Sequence, residues 1–191
     1  MITIHHNFDE TKFKWLKVSD YEEDILFRYV LDGVNHDIKV NDFPEFRYVA
    51  DYEGGEAYLD WSNKIVFGFI SWASGQGGIV FVWDIYSNKV IHVGENEFVV
   101  KLLLYGNRLF ALSDVCYYGH RAELMLSYAD IIPNERELKW TVINVPYTES
   151  SLGSSNYLLE IKSNRLYFGN PSTNEFNEDK LVSVELPPDL K

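Results

Sequence analysis

Ser113-Asp114, Cys116 and His120 fall on one strand–loop segment and are residue types that nucleophilic catalysis uses. A nucleophile needs a base within about 3 Å, and the base needs a third group to orient it. Nothing in the spacing imposes that geometry, and a cysteine on a strand is usually a buried hydrophobe. No catalytic residue is therefore assigned. His5-His6 are metal-ligand types, but neighbours on a strand point to opposite faces, leaving one imidazole per side. His36, His92 and His120 are scattered, so no metal site is assigned. Ser74-Gly75-Gln76-Gly77-Gly78 is glycine-rich, but no helix follows to cradle a phosphate, so it reads as a hairpin loop and no cofactor is implied.

The acids offer a different chemistry. Asp84, Asp114 and Glu53 or Glu56 stand near the ends of expected strands. Hydrolysis of a glycosidic bond needs two carboxylates roughly 5–10 Å apart across a sugar cleft. This leaves a carbohydrate-binding or glycoside-active protein as an alternative reading. The acids also suggest electrostatic docking. Net charge is −12, and residues 1–60 hold 14 Asp and Glu against 6 Lys and Arg. Glu22, Glu23 and Asp24, with Glu53 and Glu56, flank expected turns and are candidate contacts for a basic protein partner. Nucleic acid is excluded as a partner, since its binding needs a cationic footprint.

Aromatic residues form the second contact set. Trp15, Trp61, Trp72, Trp83 and Trp140, with 13 Tyr and 12 Phe, are mostly core candidates. Tyr117, Tyr118 and Tyr147 sit in loop-like contexts, and tyrosine is favoured at protein interfaces.

The elements that must position these residues are strands. Residues 1–6, 12–18, 25–31, 37–40 and 46–52 read as short strands, with Asp32-Gly33 a strong turn signal. One β-module is then written twice between Asn63 and Val145, and a third time in part. Its marker phrases are Trp61-Ser62-Asn63-Lys64-Ile65-Val66-Phe67, Tyr105-Gly106-Asn107-Arg108-Leu109-Phe110 and Lys162-Ser163-Asn164-Arg165-Leu166-Tyr167-Phe168. No stretch sustains a helical period, with Glu135–Trp140 the nearest to one. Four-stranded repeats of roughly 40–50 residues are the mark of propeller blades.

The run Ile79-Val80-Phe81-Val82-Trp83-Asp84-Ile85-Tyr86-Ser87-Asn88-Lys89 resembles the third-strand-to-turn phrase of a WD-type β-propeller blade. The Asn-Lys/Arg phrase extends the resemblance loosely to two more blades. It implies a divergent β-propeller of about four antiparallel blades, with Met1–His6 closing the ring on the last sheet. The competing all-β fold is a sandwich or irregular barrel.

With 191 residues, 46% of them apolar, the chain is expected to form a single all-β domain over residues 1–191. One cysteine permits no internal disulfide and suits a reducing compartment. No signal-like N-terminus and no membrane-length apolar run occur, so a soluble cytoplasmic protein is expected. The leading function is a non-catalytic, acidic protein–protein interaction module. One concrete version is a bacterial immunity-type protein capping a basic toxin.

Overall fold

The computed structural model describes residues 2–6, 13–16, 25–39, 55–62, 65–71, 78–84, 87, 89–96, 98–115, 123–145, 157–169 and 181–186. Every element among them is a β-strand, as alternating or continuous apolar runs between turn residues require. No helix among the described residues is long and apolar enough to cross a membrane. The segment Glu135–Trp140 is irregular rather than helical. The chain divides into two compact units, Met1–Glu95 and Asn96–Lys191.

The first unit holds two sheets. One is β2 (Phe13–Leu16), β3 (Ile25–Leu31) and β4 (Val34–Lys39), paired antiparallel in that order. Asp32 and Gly33 both have positive φ, 49° and 81°. That is the pattern of a type I′ turn, whose twist matches the flanking strands. The other sheet contains β5 (Gly55–Ser62), β6 (Ile65–Ser71), β7 (Gly78–Asp84) and β8 (Lys89–Asn96). Val80, Phe81, Val82 and Trp83 of β7 are all fully buried, so both faces of that strand are covered. A continuous apolar run is what such a strand demands.

The N-terminal strand β1 (Ile2–His6) corrects one expectation. It does not pair with the last sheet; it adds in parallel to β5, from Ile2 opposite Gly55 to His6 opposite Leu59. Parallel pairing needs a long crossover, which residues 7–54 supply. The added strand covers the outer edge of β5 that would otherwise be open. Among the described residues, none of the four sheets closes on itself.

Aromatic packing ties the two sheets of this unit together. Tyr29 on β3 is fully buried and stacks on His36 directly opposite it, 4.8 Å between centroids at 14°. Trp83 meets the same ring edge-on at 4.8 Å and 88°. Such pairs contribute roughly 0.5–1.5 kcal/mol each beyond burial. Burial, and then the nearby Asp84 carboxylate, push the Tyr29 phenol well above its ordinary value, so it stays neutral.

The second unit also holds two sheets. β9 (Val99–Tyr105), β10 (Arg108–Val115), β11 (Glu123–Asp130) and β12 (Thr141–Ile143) form an antiparallel meander. β13 (Leu158–Lys162), β14 (Arg165–Gly169) and β15 (Val182–Glu185) form another. Phe110, Leu112, Leu124 and Leu126 of the first pack with Leu159, Leu166, Phe168 and Leu186 of the second in one buried cluster. Each such side chain contributes about 1.5–3 kcal/mol by leaving water.

The repeated phrases become hairpins. Tyr105 pairs with Arg108 around Gly106-Asn107, and Lys162 with Arg165 around Ser163-Asn164. In both, the turn asparagine's carbonyl accepts a hydrogen bond from the residue just beyond the third strand. Ile131 N–H donates to Asn107 O at 2.6 Å, and Leu186 N–H to Asn164 O at 3.3 Å. The first copy is offset by one residue. Ser62 pairs with Ile65, so Ile65 occupies the place that Arg108 and Arg165 hold in the other two.

Candidate functional site

Sheet β9–β12 has two unlike ends, and the register decides which residues lie at each. At one end the β9–β10 hairpin meets the close of β11. Arg108 is directly opposite Asp130, and its Nε donates to Asp130 Oδ1 at 2.5 Å. Its guanidinium also lies 4.3 Å from the centre of the Tyr128 ring. The Arg108 side chain is 6% exposed and that of Asp130 is 39% exposed. The equivalent pair in the last sheet is looser. Arg165 donates to Ser183 Oγ at 3.0 and 3.2 Å and stands 4.0 Å from Glu185. In the first copy the matching acid, Asp84, is opposite Ile65 and instead accepts from Ser87 N–H and Oγ. These arrangements tie strand ends together.

The other end of sheet β9–β12 is irregular. The β9–β10 register slips between Leu112 and Ser113, a bulge that brings Val99 opposite Ser113. Phe98, just before β9, has φ of 50°, which a non-glycine residue adopts rarely. Its carbonyl accepts the Asp114 N–H at 2.9 Å. Tyr157 Oη donates to Asp114 Oδ2, tying the lead-in to β13 onto β10. Ser113 is fully buried, and its hydroxyl finds no partner among the described residues. Bulges and strained backbone concentrate near functional sites.

Val115 pairs with Glu123, so both residues that bound the interval 116–122 lie at this end. Leu126 pairs with Ile143, which sets Val145 at the same end, and the chain resumes at Tyr157 beside Asp114. Val115, Glu123, Val145 and Tyr157, which bound the two sequence intervals holding Tyr117, Tyr118 and Tyr147, therefore lie at one end of the sheet. The three tyrosines themselves lie outside the described residues, as do Glu22, Glu23, Asp24 and Glu53. Glu56 is the second residue of β5, opposite Thr3.

Ser113 and Asp114 are neighbours on a strand and face opposite sides of the sheet, so they do not form a nucleophile–base pair. Cys116 and His120 lie outside the described residues. Of the carboxylates considered for sugar chemistry, Asp84 is held by Ser87 and Asp114 by Tyr157. Among the described residues no three His, Cys, Asp or Glu side chains group as metal ligands. His5 and His6 are successive residues of β1, opposite Tyr58 and Leu59.

The sequence reading missed the Arg108–Asp130 clasp and the Tyr157–Asp114 bridge. The first had a signal: the Asn-Arg phrase recurs at 107–108 and 164–165, and each third strand ends in an acid followed by an apolar residue, Asp130-Ile131 and Glu185-Leu186. The bridge had none, since its partners are 43 residues apart and neither belongs to a repeated phrase.

Comparison of the chain with protein-family models, with curated proteins and with solved structures found no match in any of the three.

Proposed function

We propose that this chain is a non-catalytic, acidic interaction module whose contact face is the bulged end of sheet β9–β12. The single observation that carries this is that the residues bounding 116–122 (Val115 and Glu123) and 146–156 (Val145 and Tyr157) lie together at that end, the two intervals holding Tyr117, Tyr118 and Tyr147. A basic protein is the partner that a net charge of −12 favours, with the acids of the N-terminal third, Glu22, Glu23 and Asp24 among them, accelerating encounter. An immunity-type protein that caps a basic toxin domain is one form of this reading. The four sheets would be the blades of a propeller-like array. The matching hairpins and strand-end bonds of β9–β11 and β13–β15 support a repeat of that kind.

The test begins with basic proteins encoded beside this sequence, assayed for binding to the intact chain. For a partner so found, the triple reversal of Glu22, Glu23 and Asp24 to Lys should slow association and flatten its salt dependence, with dissociation changed less. Tyr117→Ser with Tyr118→Ser should instead speed dissociation. An association rate and salt slope untouched by the reversal would remove the acidic residues from the interface. A dissociation rate untouched by the tyrosine changes would remove the bulged end.

A further inference from the structure

We propose that sheet β9–β12 holds an ordered internal water, bound between the hydroxyls of Ser113 and Ser127 on the face turned away from β13–β15.

The register decides which side chains share that face. Phe110, Leu112, Leu124 and Leu126 pack towards β13–β15, so their neighbours along β10 and β11 point the other way. Leu109, Ala111 and Ser113 thus stand on the second face, opposite Ala129, Ser127 and Met125 in turn. This face is buried too: Ala111, Ser113 and Ala129 are 0% exposed and Ser127 1%.

Ser113 is the misfit among them. The residues directly across from it are Val99 on β9 and Met125 on β11. Its hydroxyl has no hydrogen-bond partner among the described residues. Shutting a hydroxyl away from solvent without a partner is costly, and an ordered water is the usual remedy in a protein interior.

Ser127 supplies the second ligand. It pairs with Ala111, two residues before Ser113, and is therefore the diagonal neighbour of Ser113 on the same face. Diagonal positions lie about 7–8 Å apart, less between side chains that lean together. Two hydrogen bonds of roughly 2.7–2.8 Å, in series through a single water, bridge two hydroxyls at that separation. Ala111 offers only a methyl group beside the path, which leaves the room. Ser127 Oγ accepts from Asn96 Nδ2 at 3.4 Å, so its own proton is left to donate to the water. The water in turn donates to Ser113 Oγ. The chain of bonds then runs from Asn96, at the end of β8, to the residue where the β9–β10 register slips. No charged side chain stands in the patch of Ala111, Ser113, Met125 and Ser127, so a neutral occupant is favoured over an ion.

Urea denaturation of the full chain reads the sign of the effect. A hydroxyl buried without a partner is better removed, whereas one bonded to a water is missed. Ser113→Ala should raise the unfolding equilibrium constant about fivefold, and Ser127→Ala should also raise it. The double variant should lose about threefold less than the product of the single losses, because each change alone already frees the water. Water-oxygen relaxation dispersion by NMR, which counts waters held inside a protein, should find one fewer in either single variant than in the wild type. A Ser113→Ala protein as stable as the wild type, or more so, overturns the proposal. So does an unchanged count of internal waters, or single losses that multiply without coupling.

Discussion

The two ends of sheet β9–β12 are built from the same four strands, yet they solve opposite problems. At the Arg108 end a two-residue turn, a main-chain bond from Ile131 to Asn107 and a buried guanidinium leave little room for variation. At the Asp114 end the register slips, Phe98 takes a left-handed conformation, and one phenol–carboxylate bond holds the incoming chain. Where strands are joined by a tight turn, the polar groups of the last residues can be satisfied locally. Where longer loops must leave, the strands need a bulge to re-aim them and a side chain from elsewhere to anchor them.

This contrast can be broken from either end, and the largest effect should come from the clasp. Arg108→Ala removes a nearly buried cation from Asp130 and from the Tyr128 ring. A cost of about 3 kcal/mol is expected, at the lower edge of the range for buried pairs because Asp130 is partly solvated. Urea denaturation measures it, and a loss under about 1 kcal/mol would mean the pair behaves as a surface salt bridge. Tyr157→Phe should come next, at about 2 kcal/mol, since it deletes a hydrogen bond to a carboxylate. Its amide exchange should quicken around Asp114 and Tyr157 while Arg108 and Ile131 keep their protection. Uniform loss across the sheet would show that the two ends are not independent.

A smaller effect belongs to the turn. Gly106 has φ of 61°, and a Cβ there would meet nothing within 4 Å. Gly106→Ala should therefore cost only the conformational term, about 1–2 kcal/mol; a larger drop in melting temperature would point to a steric clash instead. The smallest effect should appear at the counterpart of the clasp in the first unit, Arg28–Asp37, where Nε to Oδ1 is 2.7 Å and the arginine is more solvated than Arg108, the side chains being 24% and 32% exposed. Arg28→Ala should cost less than about 1 kcal/mol at neutral pH. The Arg28 hydrogen bond holds the Asp37 carboxyl below its usual range. Its contribution is thus present above pH of about 4 and is lost as pH falls through the lowered value. The gap between wild type and variant should close in acid. A gap that persists there would assign the effect to packing of the arginine stem.

Much of the fold was legible because its signals are local. Asp32-Gly33 and the turn asparagines marked hairpins, and the Ile79–Trp83 run marked a strand, whose burial on both faces only the structure shows. The destination of β1 was not legible. Alternation of Ile2 and Ile4 calls for a strand, but nothing within six residues says which edge it will cover. The candidate site was harder still. Tyr117, Tyr118 and Tyr147 stood out by residue type, whereas the meeting of the residues that bound their intervals depends on the register of Val115 with Glu123 and Leu126 with Ile143. Register is a property of paired strands and appears only once both are in place.

The one-residue offset of the first hairpin has a consequence for how such a chain can be recombined. Side chains alternate faces along a strand, so a module spliced in one residue out of phase presents its core face to water. The segment from β9 to β11 and the segment from β13 to β15 share the same phase, from the turn asparagine to the bond beyond the third strand. Exchanging them in frame would keep that phase. The segment from β5 to β7 keeps it only when aligned on its turn and not on its asparagine, since Ser62 pairs with Ile65 where the repeated phrase would pair Trp61 with Lys64.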